Sequence, residues 1–354
     1  MTSNNQSIAI IGANGQVGME LSILLREAGY TVYPVIRNKI SAAMFESHGF
    51  NCRVGEITDQ EAAPRLLADV DAVIVAAFAP WFRGPKPRPA RQINEAIVRN
   101  SITYAPAHAT VVYFSSIVAF GSDIGLSDLH WYGRTKRHLE SIVKNECRGT
   151  DHEWYNLRLG LIYGPNQEFT NHFVDELQER QRVYLPVRPD RQTNVAHTVT
   201  LAETISQCVQ QEPDPGTYGV VNQPQWTWSD LVEYYLPETN VQYRPELATD
   251  ETNAVVPQFK SLLGNVLPAV DTYREILLSL LLYLPDWAST YVLHAHTDSE
   301  TAAAIGEYQD RVAYEHRHLS YDPVPEPHIE VPAAEELIAR EEAVYEALNI
   351  PSHT

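Results

Sequence analysis

The chain has 354 residues, 44% hydrophobic and 20% charged, with a formal net charge of −19. That length holds one large domain or a sheet domain with a smaller companion; the composition argues against wholesale disorder, and the acidity against nucleic acid or an anionic membrane surface as partner. No apolar run reaches the roughly 18–20 residues of a membrane span, Met1 to Ser7 lacks the basic start of a secretion signal, and three scattered cysteines (Cys52, Cys147, Cys208) read as the reduced thiols of a cytoplasmic protein.

Ile8 to Ile11 is a short apolar run ending in Gly12, the pattern of a parallel strand buried on both faces. Met19 to Ala28 has helical periodicity and stops at Gly29. Between them, Gly12-Ala13-Asn14-Gly15-Gln16-Val17-Gly18 spaces three glycines as G-x-x-G-x-x-G. Glycine lets a strand-to-helix turn close tightly and lets backbone approach a pyrophosphate, while the helix N-terminus stabilises the anion. In this context the turn predicts dinucleotide binding by Gly12, Asn14, Gly15, Gln16, Val17 and Gly18.

The next strand, Thr31 to Ile36, runs into Arg37-Asn38. An NAD enzyme usually places an acid there for the ribose hydroxyls. Here Arg37 offers a guanidinium that can pair with a 2′-phosphate, so NADP is expected over NAD, with NAD still open. Glu56 and Asp59, past the third strand, are expected to border the adenine. Ala72 to Ala77 is the fourth strand and places Ala76 beside the dinucleotide. Arg83, Lys86, Arg88 and Arg91, interleaved with prolines, read as a solvated loop. A helix around Ile93 to Tyr104, a strand at Val111 to Phe114, a helix at Trp131 to Lys144 and a strand at Trp154 to Ile162 continue the alternation, which argues for a parallel sheet with helices on both faces.

After Tyr163 the alternation becomes irregular. Thr193 to Val199 reads as a return to the sheet, followed by a helix at Leu201 to Val209. Trp226 to Tyr235 reads as a helix leaving the core, and Val255 to Ala303 as mostly helical. Asp322 to Pro332, with four prolines, reads as an extended strap before an acidic helix at Pro332 to Leu348. There is no internal repeat.

Tyr132-Gly133-Arg134-Thr135-Lys136 puts Tyr and Lys four apart, on one helix face. A neighbouring ammonium is expected to lower the phenol's pKa, so that Tyr132 exchanges a proton nearer neutral pH. Upstream, Val111 to Ser116 is a strand ending in two serines, at the end that faces a cofactor crevice.

The glycine turn, Ser115-Ser116-Ile117-Val118-Ala119-Phe120-Gly121, Tyr132-x-x-x-Lys136 and Leu157-Arg158-Leu159-Gly160-Leu161-Ile162-Tyr163-Gly164-Pro165 occur in that order. Together they resemble the extended short-chain dehydrogenase/reductases, also called the NAD-dependent epimerase/dehydratase family, over roughly residues 7 to 240. The resemblance implies these roles. Ser116, five before the glycine, hydrogen-bonds the substrate oxygen. Tyr132 moves the proton. Lys136 binds the nicotinamide ribose and tunes Tyr132, so that Tyr132 and Lys136 also border the cofactor. Asn94 matches the family's helix asparagine loosely and reads equally as a buried structural amide. Family members often dimerise through the Tyr-bearing helix, so a homodimer is compatible with the sequence.

The departures narrow the chemistry. The family's 4,6-dehydratases resemble Thr-Asp-Glu where this chain has Ser116-Ile117-Val118, so the acid for a leaving hydroxyl is missing. The decarboxylases' nearby Glu is missing too. Leu161 stands where nucleotide-sugar epimerases usually have an Asn, and His197 where an Asp is usual; His197 reads as a structural substitute. Gly121, Ser122, Gly125 and Ser127 suit a mobile segment over the site. Ile276 to Leu284, with Trp287 and Tyr291, reads as ordinary helix packing. His294, His296, His316, His318 and His328 fit no standard metal spacing, so no metal is expected.

The expected fold is α/β: a Rossmann-type, doubly wound parallel sheet (residues 1–165 and 190–225) with a smaller, mostly helical C-terminal substrate domain (166–189 and 226–354). The expected function is an NADP(H)-dependent oxidoreductase acting on a small, non-nucleotide substrate. An epimerase with tightly bound NAD(P) is the alternative, and a non-catalytic NADP(H)-sensing protein the alternative of another class.

Overall fold

The computed structural model describes residues 5–79, 87–124, 131–165, 167, 170, 183–185, 188–237, 241–243 and 322–348. The first half alternates as expected: β1 (Ser7–Ile11), α1 (Gln16–Glu27), β2 (Thr31–Ile36), α2 (Lys39–Ser47), β3 (Arg53–Val54), α3 (Ala63–Leu66), β4 (Ala72–Val75), α4 (Pro87–Thr103), β5 (Thr110–Ser116), a 3-10 segment (Ile117–Ile124), α5 (Trp131–Cys147) and β6 (Trp154–Leu159). The second half contains β7 (Leu161–Tyr163), β8 (Val183–Leu185), β9 (Val195–His197), α6 (Thr198–Val209), β10 (Gly216–Val220), α7 (Trp228–Tyr235), β11 (Val241–Tyr243) and α8 (Ala334–Ala347).

Seven strands form one sheet in the order β10-β6-β5-β4-β1-β2-β3, and all its pairings are parallel. Each buried strand divides its side chains between two cores, because successive residues point to opposite faces. Ile8 and Ile10 of β1 join Leu21 and Leu25 of α1 on one face. Ala9 and Ile11 join Ile97 of α4 and Leu139 of α5 on the other. The chain runs outward from β1 to β3 and then returns to β4 on the other side of β1, which opens a crevice at the carboxyl ends of β1 and β4.

Three sequence expectations are corrected. The strand expected at Trp154 to Ile162 breaks at Gly160, where a Cβ would stand 2.2 Å from the Asn194 carbonyl oxygen. Beyond that kink β7 pairs with β9 in a separate two-stranded sheet, so Val195 to His197 does not rejoin the main one. The seventh strand is instead β10. Its Gly-Thr-Tyr-Gly-Val sequence has two glycines and little apolar signal, and pairing with β6 decides its state. The helix expected to leave the core, α7, stays in it: Trp226, Trp228 and Leu231 belong to the same buried cluster as β1.

Residues 322–348 also return to the sheet. The strap lies along β10, with the Gly219 amide donating to the Pro327 carbonyl at 3.0 Å and His328 Nδ1 2.9 Å from the Gly219 carbonyl. Helix α8 packs on α1 and α6 and adds Leu337, Ile338 and Tyr345 to the core beneath β1. The sequence reading grouped these residues with the substrate domain. Residues 244–321, with the run Ile276–Leu284 and His294, His296, His316 and His318, lie outside the described residues, as do Gly125, Ser127, Arg83 and Lys86.

Candidate active site

The crevice begins at the glycine turn. Gly12 has φ +87° and sits so close to the end of β4 that a Cβ would stand 2.8 Å from the Ala77 nitrogen. A side chain here would be strained in its backbone and would push β1 from β4. Asn14, Gly15 and Gln16 form the exposed tip, Val17 is half-buried and Gly18 buried. Gly15 caps α1 with no side chain, and the helix has no acid in its first turn. That is chemistry suited to an incoming diphosphate: exposed backbone at the positive end of a helix with no acid in its first turn. Ala76 follows β4 and donates its amide to the Ile11 carbonyl at 3.0 Å, which puts it on the floor of the crevice.

At the end of β2, Arg37 is exposed. It stands before Asn38, whose side chain caps α2 by accepting from the Ser41 amide at 2.8 Å. Of the two acids expected near the adenine, Asp59 is exposed and accepts from the Glu61 amide at 2.9 Å. Glu56 is half-buried in the loop after β3. The glycine cradle and the helix N-terminus behind it fit a dinucleotide.

The two serines at the end of β5 differ. Ser115 is buried and its hydroxyl donates to Glu140 Oε1. Ser116 is half-buried, is the last residue of the strand and pairs in register with Leu159 of β6. Beyond it the chain turns through the 3-10 segment, against which the first turn of α5 is pressed. A Cβ on Gly133 would stand 2.4 Å from the Val118 carbonyl oxygen. Glycine between Tyr132 and Lys136 therefore sets how closely the Tyr-bearing helix meets the Ser-bearing strand end.

Lys136 is buried, with Nζ donating to the Phe114 carbonyl at 2.7 Å. Three rings surround the ammonium: Phe78 at 4.5 Å, Tyr113 at 5.2 Å and Tyr132 at 5.6 Å from their centroids. Phe78 meets Tyr132 edge-on at 5.4 Å. Tyr132 also packs on a small apolar cluster of Ile117, Val118, Phe120, Val221 and the strap's Val324.

The electrostatics differ from the sequence expectation. Burial pushes the Tyr132 phenol above the ordinary tyrosine range. Burial also pulls Lys136 down to about 7, against the opposing pull of Glu140. Desolvation is the cause of the phenol's shift, so Tyr132 holds its proton at neutral pH and is poised to give it.

Asn94 is buried and spent on backbone. Its Oδ1 accepts from the Ala79 amide at 2.8 Å and its Nδ2 donates to the Ala79 carbonyl at 2.9 Å. It thereby fixes the loop that carries Phe78. His197 is buried among Trp226, Tyr234 and Tyr235. Asn222 Oδ1 accepts from the His197 amide at 2.9 Å, so its Nδ2 faces His197 Nδ1 at 2.8 Å as donor. The ring proton then sits on Nε2, 2.9 Å from the Tyr235 hydroxyl. Burial pulls the imidazole down to about 4, so the ring is neutral and structural.

Sequence reasoning missed Phe78, Glu140 and Arg158. Glu140 was within reach, being one helical turn beyond Lys136 on the same face. A charged Arg158 inside the otherwise buried strand Tyr155 to Leu159 was the second signal.

The family model described as RmlD substrate binding domain matches residues 6–259. No curated protein matches the chain. Among solved structures, the UDP-N-acetylglucosamine 4-epimerase of Bacillus cereus is 18% identical with a TM-score of 0.54, over 68% of this chain and 85% of that one. L-threonine dehydrogenase of Phytophthora infestans is 16% identical with a TM-score of 0.52, again over 68% and 85%. The UDP-glucuronic acid 4-epimerase of Bacillus cereus, solved with UDP-glucuronic acid and NAD, is 15% identical with a TM-score of 0.50, over 67% and 85%. At these identities the likeness shows the fold.

Proposed function

The chain belongs to the RmlD substrate-binding-domain family, among the extended short-chain dehydrogenase/reductases, and from that premise we propose that it is an NADP(H)-dependent oxidoreductase interconverting a carbonyl and a hydroxyl on a small, non-nucleotide substrate. The observation that supports this reading is the close approach of the helix bearing Tyr132 and Lys136 to the end of β5: Lys136 Nζ donates to the Phe114 carbonyl, and Gly133 leaves no room for a Cβ beside the Val118 carbonyl.

Gly12 to Gly18 would hold the diphosphate, Arg37 the 2′-phosphate, and Lys136 the nicotinamide ribose. When bound, the nicotinamide supplies or accepts the hydride. Ser116 orients the substrate oxygen by a hydrogen bond. In the reducing direction the Tyr132 hydroxyl gives its proton to that oxygen. A protonated phenol at neutral pH suits this direction, and the ammonium of Lys136 stabilises the phenolate that is left. Apolar Ile117 and Val118 follow Ser116 and are buried, and the carboxylate of Glu140 is engaged by Ser115 and Arg158, which supports redox chemistry over dehydration. Leu161, half-buried against the main core, supports a substrate without a nucleotide diphosphate.

The test is a titration with NADPH and NADH followed by NADPH oxidation against a panel of small aldehydes and ketones. NADPH should bind more tightly, and Tyr132→Phe should keep that affinity while losing at least about 100-fold in turnover. Equal or tighter NADH binding sinks the cofactor assignment, and undiminished turnover sinks the role of Tyr132. Protein that retains nicotinamide through purification and consumes none points to an epimerase.

A further inference from the structure

Near Lys136 lies an ionic unit, with Glu140 buried and Arg158 half-buried, that the chemistry above does not use. Glu140 accepts from Ser115 of β5. It also takes both arms of Arg158 of β6, Nε on Oε1 at 2.9 Å and a terminal nitrogen on Oε2 at 2.8 Å. The Arg158 guanidinium in turn lies 4.4 Å over the Phe120 ring in the 3-10 segment. One carboxylate thus joins the four pieces that build the site: the serine strand, the 3-10 segment, the Tyr-Lys helix and the strand leading to Tyr163-Gly164.

We propose that Glu140 is a positioning residue: clamped by Arg158 and Ser115 one helical turn from Lys136, it favours the charged form of the Lys136 amine against burial and locks the serine strand against the helix that carries Tyr132. The proposal rests on the reading of Tyr132 and Lys136 given above.

An ion pair that buries its carboxylate and half-buries its guanidinium is a costly structural device and is often matched in stability by apolar residues of the same shape. A functional use explains its place here. Among the described residues the Lys136 ammonium donates to a carbonyl and faces three aromatic rings, and burial disfavours its charge. Its titratable and charged surroundings are Tyr113 from β5, Tyr132 and Glu140 from α5, and Arg158 from β6 acting through Glu140. From α4, Glu95 is paired with Arg91 and with His138, on the opposite side of α5 from Lys136. The 3-10 segment contributes Asp123, which is exposed. Glu140 is the one carboxylate among the described groups that raises the Lys136 pKa.

The chain has five lysines, so a protein labelled with carbon-13 at lysine Cε gives a sparse spectrum, in which the Lys136 signal is the one lost in Lys136→Met. In the free full-length protein Lys136 should titrate well below the ordinary lysine range of about 10.4. In Glu140→Gln its midpoint should fall by a further pH unit or so, a tenfold change in its protonation equilibrium, while the other lysines stay where they are. Glu140→Asp should recover part of the shift.

If Glu140→Gln does not fold, Glu140→Gln with Arg158→Met removes both charges without orphaning either and should shift Lys136 in the same direction. At pH 7.5 the Gln variant should bind NADPH several-fold more weakly, and lowering the pH should restore it. A merely structural role would weaken binding equally at every pH. An unmoved Lys136 midpoint in both variants overturns the proposal. Because that midpoint is read without cofactor or substrate, failure of either protein to bind NADPH strikes the NADP(H) assignment and leaves the Lys136 result standing.

Discussion

His197 shows how a residue of catalytic type is retired by its surroundings. It sits at the end of β9 with its Nδ1 facing the Asn222 amide, its Nε2 facing Tyr235, and Trp226 against its ring at 4.8 Å. Its folded-state pKa, about 4, lies below its ordinary value of 6.5. Between those two values the unfolded chain binds a proton that the folded chain refuses. The stability this histidine contributes is therefore complete above about pH 6.5 and is lost as the pH falls toward 4. The loss should amount to roughly 3 kcal/mol. Urea unfolding at pH 7, 5.5 and 4 should show it as a slope that His197→Gln flattens; an equal slope in the variant would place the loss elsewhere. Tyr132 and Lys136 obey the same rule of burial: desolvation raises the phenol and lowers the amine.

At the scale of elements, the join between the 3-10 segment and α5 decides the site. Gly133→Ala in an exposed helix would stabilise by up to about 1 kcal/mol. Here its methyl would enter the space of the Val118 carbonyl at 2.4 Å, and both partners are backbone. The variant should instead lose about 1–3 kcal/mol and weaken NADPH binding as Tyr132 and Lys136 are displaced from Ser116. A urea midpoint at or above wild type would show that the helix can shift freely. The pattern Tyr-x-x-x-Lys announced the two functional groups on one helix face. It did not announce that the first residue between them has to be glycine, because the neighbouring carbonyl comes from another element.

At the scale of the molecule, the last described helix belongs to the wall of the sheet domain. Leu337 is 1% exposed, Tyr345 donates to Glu20 of α1 at 3.1 Å, and Trp226 Nε1 donates to Glu335 at 2.9 Å. Leu337→Ala should cost about 2–5 kcal/mol and lower the melting temperature of the whole protein by several degrees. Loss of α8 alone, with the rest melting unchanged, would mean that the helix is a separable appendage. Chain order gave no hint of this packing, since the helix follows a proline-rich strap and a long segment without the strand–helix alternation of the first half.

The amino-acid sequence determined the parallel sheet from β1 to β6, the glycine turn between β1 and α1, and the pairing of Tyr132 with Lys136, because each is a local pattern: an apolar run, a spacing, a helical repeat. Tertiary structure alone decided the rest. It chose β10 over Val195 to His197 as the seventh strand, because two glycines carry no propensity and the edge of β6 does. It also set Ser115 on Glu140 and left Ser116 half-buried at the end of β5. The charges of Tyr132, Lys136 and His197 followed from burial, which no spacing encodes. Arg37 stands at the end of β2 on both accounts, and on Tyr132 the sequence supplied the phenol while the fold kept its proton.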